Sequence, residues 1–329
     1  MDPLRHYFDW AATALPDMFI PPEGIAPFGN PSSRHLEGRK AHDVLEDARS
    51  RCAAVLGVSP KQLYFTSGGT ESNALVIHSM LLRPGPAALL VSSVEHPSVR
   101  ENAVLLERLG RPLGLIGTAP DGRVGVHNLE TALEKRRDAR FAAIMAVNNE
   151  VGSRMDMPEL VRFLRVRGKP HIHIHSDMVQ ALGKIPLDIP AWDLDSASFS
   201  AHKIGGPRGI GLLYLRRPLE TLYTGGGQEG GIRPGTENTA GAAAMAASME
   251  HRAGAALVKE EYEKAAGRCR ELLRNLRTLR RCSFIPRDRR DEDDRFSPWI
   301  VQLSFEGIPG EVMVRSLDDA GFAVSTGSA

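Results

Sequence analysis

Residues 62–73 read Gln62-Leu63-Tyr64-Phe65-Thr66-Ser67-Gly68-Gly69-Thr70-Glu71-Ser72-Asn73. The first five residues have the aromatic and β-branched character of a strand. Two glycines interrupt it, and from Asn73 to Leu82 the apolar residues recur at helical spacing. A strand that ends in glycines and reopens as a helix beginning with small hydroxyl residues makes a phosphate cradle. Glycine lets a ligand approach the backbone, free N–H groups point outward, and the helix start favours an anion. A plain strand–turn–helix with a Ser or Thr cap gives the same pattern. No Gly-Lys-Ser/Thr follows, so this is not a Walker loop.

The same alternation continues downstream. Ala87–Ser92, Ala142–Val147, Ile172–Ser176 and Leu212–Leu215 are short apolar runs of strand type, and Ser98–Leu109 and Asp156–Arg167 have helical periodicity. Continuous apolar strands separated by helices predict an α/β fold with a mixed, mostly parallel sheet covered by helices. Near Gly241 the composition changes. An Ala-rich stretch (Gly241–Met249) precedes a charged helical pattern over Lys259–Arg280 and a charged run, Arg287–Arg295, read as a solvated loop. A strand (Trp299–Phe305), a helix (Gly310–Ala320) and a short strand (Phe322–Ser325) follow. The expected division is a large domain over 16–249 and a smaller α+β domain from 1–15 and 250–329.

The 329 residues suffice for about two domains, and a formal charge of +1 gives no field for gathering nucleic acid or an anionic membrane. No run of about 18 uncharged apolar residues occurs, so no membrane partner is expected. Met1 to Pro16 carries Asp2, Arg5 and Asp9 and no apolar core, so no signal peptide is expected. Cys52, Cys269 and Cys282 form no CxxC pair, and a reducing, cytoplasmic compartment is the expectation.

Three further segments carry chemistry. His173-Ile174-His175-Ser176-Asp177-Met178-Val179-Gln180 places an acid at the end of an apolar strand, where it either protonates a heterocyclic nitrogen or caps a helix. Ser198-Phe199-Ser200-Ala201-His202-Lys203-Ile204-Gly205-Gly206-Pro207 sets a lysine between a strand and a glycine turn. A lysine in a confined site loses basicity and attacks carbonyls. The 26 residues from Asp177 to Lys203 fit two strands ending at one sheet edge, where open α/β sheets hold their ligands. Gly225-Gly226-Gly227-Gln228-Glu229 and Arg233-Pro234-Gly235-Thr236-Glu237-Asn238 form a loop too long for a tight hairpin.

Taken together, these segments resemble the cysteine desulfurases and selenocysteine lyases, pyridoxal-phosphate enzymes of the class V aminotransferase type. The likeness spans Phe8–Thr13, Phe28–Ser33, Ser67–Ser72, Val94-Glu95-His96, Asn148–Gly152, the Asp177/Gln180 pair, Ser200–Lys203, Arg233–Asn238 and Val324–Ala329. It implies the type I fold of these enzymes, with pyridoxal 5'-phosphate as cofactor and no metal. Gly69 and Thr70 would bind the phosphate, with Ser200 and His202 adding contacts. Lys203 would bind the cofactor aldehyde and act catalytically, and His96 would stack on the ring. Asp177 would pair with the ring nitrogen, and Asn149 and Gln180 would meet the ring hydroxyl side. Thr236 would reach the phosphate in a partner subunit, which implies a homodimer. The implied substrate is L-cysteine, converted to L-alanine with the sulfur held as an enzyme persulfide. The implied recipient is an acceptor protein such as an iron–sulfur scaffold. Selenocysteine lyase, or a non-catalytic cofactor-binding scaffold, remains open.

Relatives of this type continue past Ser325-Thr326-Gly327-Ser328-Ala329 into the nucleophilic cysteine and then an arginine for the substrate carboxylate. The sequence holds neither, so the polypeptide as written is expected to bind cofactor without completing persulfide transfer. His171, His173 and His175 alternate along one strand and so face one side, a spacing that zinc also uses. Arg268–Arg281 interleaves with Glu271 and reads as a charged helix face rather than a nucleic-acid site.

Overall fold

Every strand from β2 onward through the first two-thirds of the chain belongs to one sheet, described here in a computed structural model that covers residues 6–16, 28–168 and 172–327. In chain order the elements are β1 (His6–Tyr7), α1 (Leu36–Leu56), β2 (Leu63–Thr66), α2 (Gly69–Ser79), β3 (Ala88–Ser92), α3 (Pro97–Arg108), β4 (Leu113–Ile116), α4 (Val126–Lys135), β5 (Ala139–Ala143), α5 (Met157–Arg167), β6 (His173–Asp177), β7 (Ser196–Ser200) and β8 (Gly211–Leu215). Then come α6 (Thr239–Ala253), α7 (Ala255–Arg277), β9 (Cys282–Ile285), β10 (Gln302–Phe305), α8 (Gly310–Asp319) and β11 (Phe322–Ala323).

The seven strands run in the order β2-β8-β7-β6-β5-β3-β4. β4, β3, β5, β6 and β7 are parallel, and β8 lies antiparallel between β7 and β2. This is the mixed, mostly parallel sheet that the sequence predicts. β3, β6, β7 and β8 are buried along their whole length because helices cover both faces. The parallel strands therefore end at one edge, and Gly211, which opens β8, pairs with both Thr66 and Ser200 there.

No helix is predicted over 36–56, yet α1 is 21 residues long. Its buried face holds Ala41, Leu45, Ala48, Cys52 and Ala53, at helical spacing but mostly small. Small residues let the helix lie close against the Ala-rich α6, whose Ala242, Met245, Ala246 and Met249 are fully buried. The His35 side chain accepts from the Gly38 N–H at the start, and Gly57, with φ of 68°, ends the helix in the left-handed conformation.

Two boundaries and one charged loop differ from expectation for identifiable reasons. β5 begins at Ala139, and after Ala143 the chain stays beside β6 through Ile144 and Ala146, whose N–H groups reach His175 O and Asp177 O. On the other side, the Met145 N–H is taken by the Glu95 carboxylate rather than by a strand (2.6 Å). β10 begins at Gln302 because Trp299 turns away to donate its indole N–H to Lys184 O (3.1 Å). The charged run over 287–295 is not simply solvated. Arg289 is buried, donates to the carbonyls of Ile300, Ser297 and Val151, and stacks over Phe296. Among the described residues no helix is long and apolar enough to cross a membrane.

The N-terminal segment returns to the sheet edge. β1 pairs in parallel with β11, His6 opposite Phe322. The Tyr7 hydroxyl donates to Asp9 O and Thr13 O (2.9 Å each), which folds residues 9–13 into a turn.

Candidate active site

The cradle forms as its sequence suggests. Gly68 adopts φ 156°, ψ −178°, a conformation open almost only to glycine. A Cβ on Gly69 would lie 2.6 Å from Val179 Cγ2, and one on Gly211 would lie 2.5 Å from the Gly68 Cα. α2 starts at Gly69 with no side-chain cap, so its first N–H groups and its dipole are free for an anion. They face a cleft of about 310 Å³ lined by Ser67–Glu71, Ser200, His202, Arg208 and Gly209. Arg208 is a residue that the sequence reading passes over. Its signal is a lone arginine inside the Gly205–Gly209 turn directly after the candidate lysine.

Asp177 and Lys203 follow adjacent parallel strands, with Asp177 paired to Ser198. Asp177 is buried. It accepts from Asn73 Nδ2 (2.8 Å) and from the Val179 N–H (3.0 Å), and forms no ion pair among the described residues. Asn73 joins the site from behind. Its Nδ2 also donates to Ser98 Oγ, and its Oδ1 accepts from Ser198 Oγ (2.6 Å) and His175 Nε2 (2.9 Å). His173 Nε2 and His175 Nδ1 both meet Ser196 Oγ (2.7 and 2.8 Å), which confirms their common face. His171 lies outside the described residues. Burial holds the two imidazoles neutral, with pKa values pushed down to about 4 and about 3. Among the described residues no group of three His, Cys, Asp or Glu side chains could hold a metal ion.

His96 is half-buried and caps α3. Its Nδ1 accepts from the Ser98 N–H (3.1 Å), so the neutral ring carries its proton on Nε2. Burial lowers its pKa, Asp177 opposes that shift and Lys203 adds to it. Lys203 Nζ donates to Ala11 O (2.5 Å) and Ala12 O (2.8 Å). Burial lowers its pKa too, with Asp177 and Asp9 pulling the other way, so more of the amine is unprotonated and nucleophilic at neutral pH. His202 bonds Thr13 Oγ1 (3.2 Å), and burial together with the Lys203 and Arg208 cations pushes it down to about 4.

Gln180 is buried and bonds Ala11 O through Nε2 (2.8 Å). Asn149 is half-buried beside Asn148, whose Oδ1 accepts from the Glu150 and Val151 N–H groups and so shapes that turn. Thr236 is exposed and does not line the cleft, so one chain does not bring it to the other predicted residues. Its loop is pinned by Arg233 to Glu71 (3.1 Å). Glu229 also anchors it, being held bidentately by the buried Arg49 (2.7 Å) and accepting the Phe65 N–H.

An uncapped helix start, a half-buried amine and a buried carboxylate without an ion-pair partner suit a ligand carrying a phosphate, an aldehyde and a basic ring nitrogen. These are the groups of pyridoxal phosphate, and the residues present fit it. The class-V aminotransferase family profile matches residues 6–329. The chain belongs to the class-V aminotransferase family. Among curated relatives it is 40% identical to a NifS/IcsS protein homolog of Lactobacillus delbrueckii subsp. bulgaricus over 318 residues, which is 92% of this chain and 77% of that protein. It is 35% identical to cysteine desulfurase IscS of Dictyoglomus turgidum over 344 residues, 98% of this chain and 81% of the relative. A solved NifS-like protein superposes with a TM-score of 0.86 at 32% identity, over 98% of this chain and 87% of the other. This class-V protein is thus a pyridoxal-phosphate-dependent enzyme of the NifS/IscS kind.

Proposed function

We propose that this class-V enzyme is a cysteine desulfurase that takes sulfur from L-cysteine and releases L-alanine. The observation that carries this reading is the placement of Lys203 and Asp177 at the ends of neighbouring parallel strands beside an anion cradle. Pyridoxal phosphate supplies an electron sink for charge developing on the substrate. The protein does the rest. The α2 N-terminus and Arg208 would hold the phosphate, Asp177 would keep the ring nitrogen protonated, and His96 would cover the ring. Lys203 would hold the cofactor aldehyde and, as a free amine, would move the proton at the substrate α-carbon.

The three cysteines do not carry sulfur in this reading. The Cys52 thiol is buried and pushed up to about 12, Cys269 is buried, and Cys282 lies in β9. In this reading the sulfur would be taken up as a persulfide by the nucleophilic cysteine that relatives carry just past the position of Ala329, and would pass from there to an acceptor protein such as an iron–sulfur scaffold. The enzyme works as a homodimer, supported by the exposed Thr236 on a loop anchored at both Glu71 and Arg49. A cytoplasmic location is supported by the absence of disulfides among the three cysteines. The division into 16–249 and 1–15 with 250–329 belongs to the same proposal.

The test is borohydride reduction of the cofactor-loaded protein followed by peptide mapping, together with assay of alanine formed from L-cysteine by the protein extended with the cysteine- and arginine-bearing segment of its relatives. A pyridoxyl label on Lys203 and alanine release are expected. A label elsewhere, or no alanine, would overturn the assignment.

A further inference from the structure

Gln180 and Lys184 stand one helical turn apart after β6, in a stretch where the Leu182 and Ile185 N–H groups reach Met178 O and Ala181 O. Lys184 is only 8% exposed. Its Nζ donates to Gln180 Oε1 (2.6 Å), and no carboxylate pairs with it among the described residues. On its other side Gln180 Nε2 donates to Ala11 O (2.8 Å), the same carbonyl that accepts from Lys203 Nζ. Ala11 O only accepts, so it takes an amide N–H, and Lys184 Nζ donates to Oε1. The two flanking groups therefore leave the Gln180 amide one orientation, oxygen toward Lys184 and nitrogen toward Ala11 and the site.

We propose that Lys184 is a positioning residue that fixes the Gln180 amide with its N–H edge toward the ring oxygen of the cofactor. One Nε2 hydrogen is taken by Ala11 O, which would leave the second to meet the ring oxygen of a bound cofactor. Without Lys184 only Ala11 O holds the amide, which can swing about that one bond and carry its second N–H off the ring oxygen. Lys184 is not among the residues that line the cleft. The inference rests on the reading that Gln180 faces the ring oxygen.

The test is the absorption spectrum of the bound cofactor at fixed pH in the parent, Gln180→Leu, Lys184→Met and the double variant. A hydrogen bond donated to the ring oxygen favours the form with the proton off that oxygen, which absorbs at longer wavelength. Gln180→Leu and Lys184→Met are each expected to lower the ratio of long- to short-wavelength bands by roughly 3- to 10-fold, the scale of one such bond. The double variant is expected to match the singles, and Lys184→Arg to restore the parent ratio. If Gln180→Leu leaves the spectrum unchanged, the reading of Gln180 fails and the inference falls with it. If Gln180→Leu shifts the spectrum and Lys184→Met does not, the inference alone is overturned. Should Lys184→Met fail to fold, the Gln180 side-chain amide is followed by 15N NMR in the loaded parent, assigned by its loss in Gln180→Leu. Both Nε2 protons are expected to be protected from exchange, and fast exchange of both overturns the inference.

Discussion

Asn73 donates through Nδ2 to Asp177 Oδ2 at 2.8 Å, and it is the only side chain among the described residues seen to hydrogen-bond this carboxylate. The same amide accepts from His175 and Ser198 through Oδ1, so one residue of α2 holds the acid of β6 and a polar row of β7 together. Asn73→Leu would orphan several buried groups at once. It should lower stability by about 2–4 kcal/mol and cofactor affinity by roughly 10-fold or more, as read by denaturant titration and by fluorescence titration with pyridoxal phosphate. Unchanged affinity would show that Asp177 does not need this partner.

The cradle has no space beneath Gly69. Gly69→Ala places a methyl group 2.6 Å from Val179 Cγ2. Affinity for the phosphate group should fall roughly 10-fold or more, about 1.4 kcal/mol or above. A second change, Val179→Ala, should recover part of the loss. Equilibrium binding of pyridoxal phosphate in the two variants decides the matter.

Glu95 is buried, accepts from Ser92 Oγ and the Met145 N–H through Oε1, and has no partner for Oε2. Burial, with the nearby Asp177 adding to it, pushes its pKa up to about 8. In the unfolded chain its pKa is near 4.5. The folded state thus binds the extra proton between these values, and stability tied to Glu95 is lost as pH rises from about 4.5 through about 8. Glu95→Gln removes that dependence. Its stability relative to the parent should rise by a few kcal/mol, on the order of 2–4, from pH 5 to pH 8.5. A parallel pair of stability–pH profiles would contradict this.

His173 and His175 act in the opposite direction. Their folded pKa values lie below the ordinary 6.5. The unfolded state therefore takes up protons first, and stability falls as pH drops from about 6.5 toward about 4. His175→Gln should shallow the acid limb of that profile by about 1.4 kcal/mol per pH unit. Urea midpoints measured between pH 4 and pH 7 give the slope.

The Arg49–Glu229 pair closes the open edge of the sheet. Phe65 N–H donates to Glu229, and Leu63 O accepts from Arg49, so the two side chains occupy the place of a further strand beside β2. Glu229→Ala should cost about 3–5 kcal/mol, because it strands a buried guanidinium. The loop carrying Thr236 should loosen with it. Arg49→Met with Glu229→Leu should recover much of the stability while leaving the loop loose. Chemical denaturation and proteolysis within 225–238 separate the two effects.

The parts of this fold that announce themselves in sequence are those in which local chemistry and long-range placement agree. Phe65–Asn73 reads as strand, turn and helix because glycine and hydroxyl residues leave few alternatives, and Asp177 and Lys203 each end an apolar strand. α1 escapes notice because its buried face is made of Ala41, Ala48 and Ala53, which give little hydrophobic contrast until α6 is laid against them. Lys184, Arg49 and Arg289 escape because arginine and lysine are solvent-exposed in most folds. Their burial depends on a distant carbonyl or carboxylate that no local pattern reveals. Asn73 lies inside the quoted motif, but its partners come from α3, β6 and β7.

The carbonyls that hold Lys203 belong to Ala11 and Ala12, and the turn that presents them is tied to β11 through Phe322 and Ala323 and to the site through the Ala14 N–H on His202 O and Gln180 on Ala11 O. The two Lys203 contacts join residues 192 and 191 positions apart, so the amine is caged only once two distant stretches of chain have met.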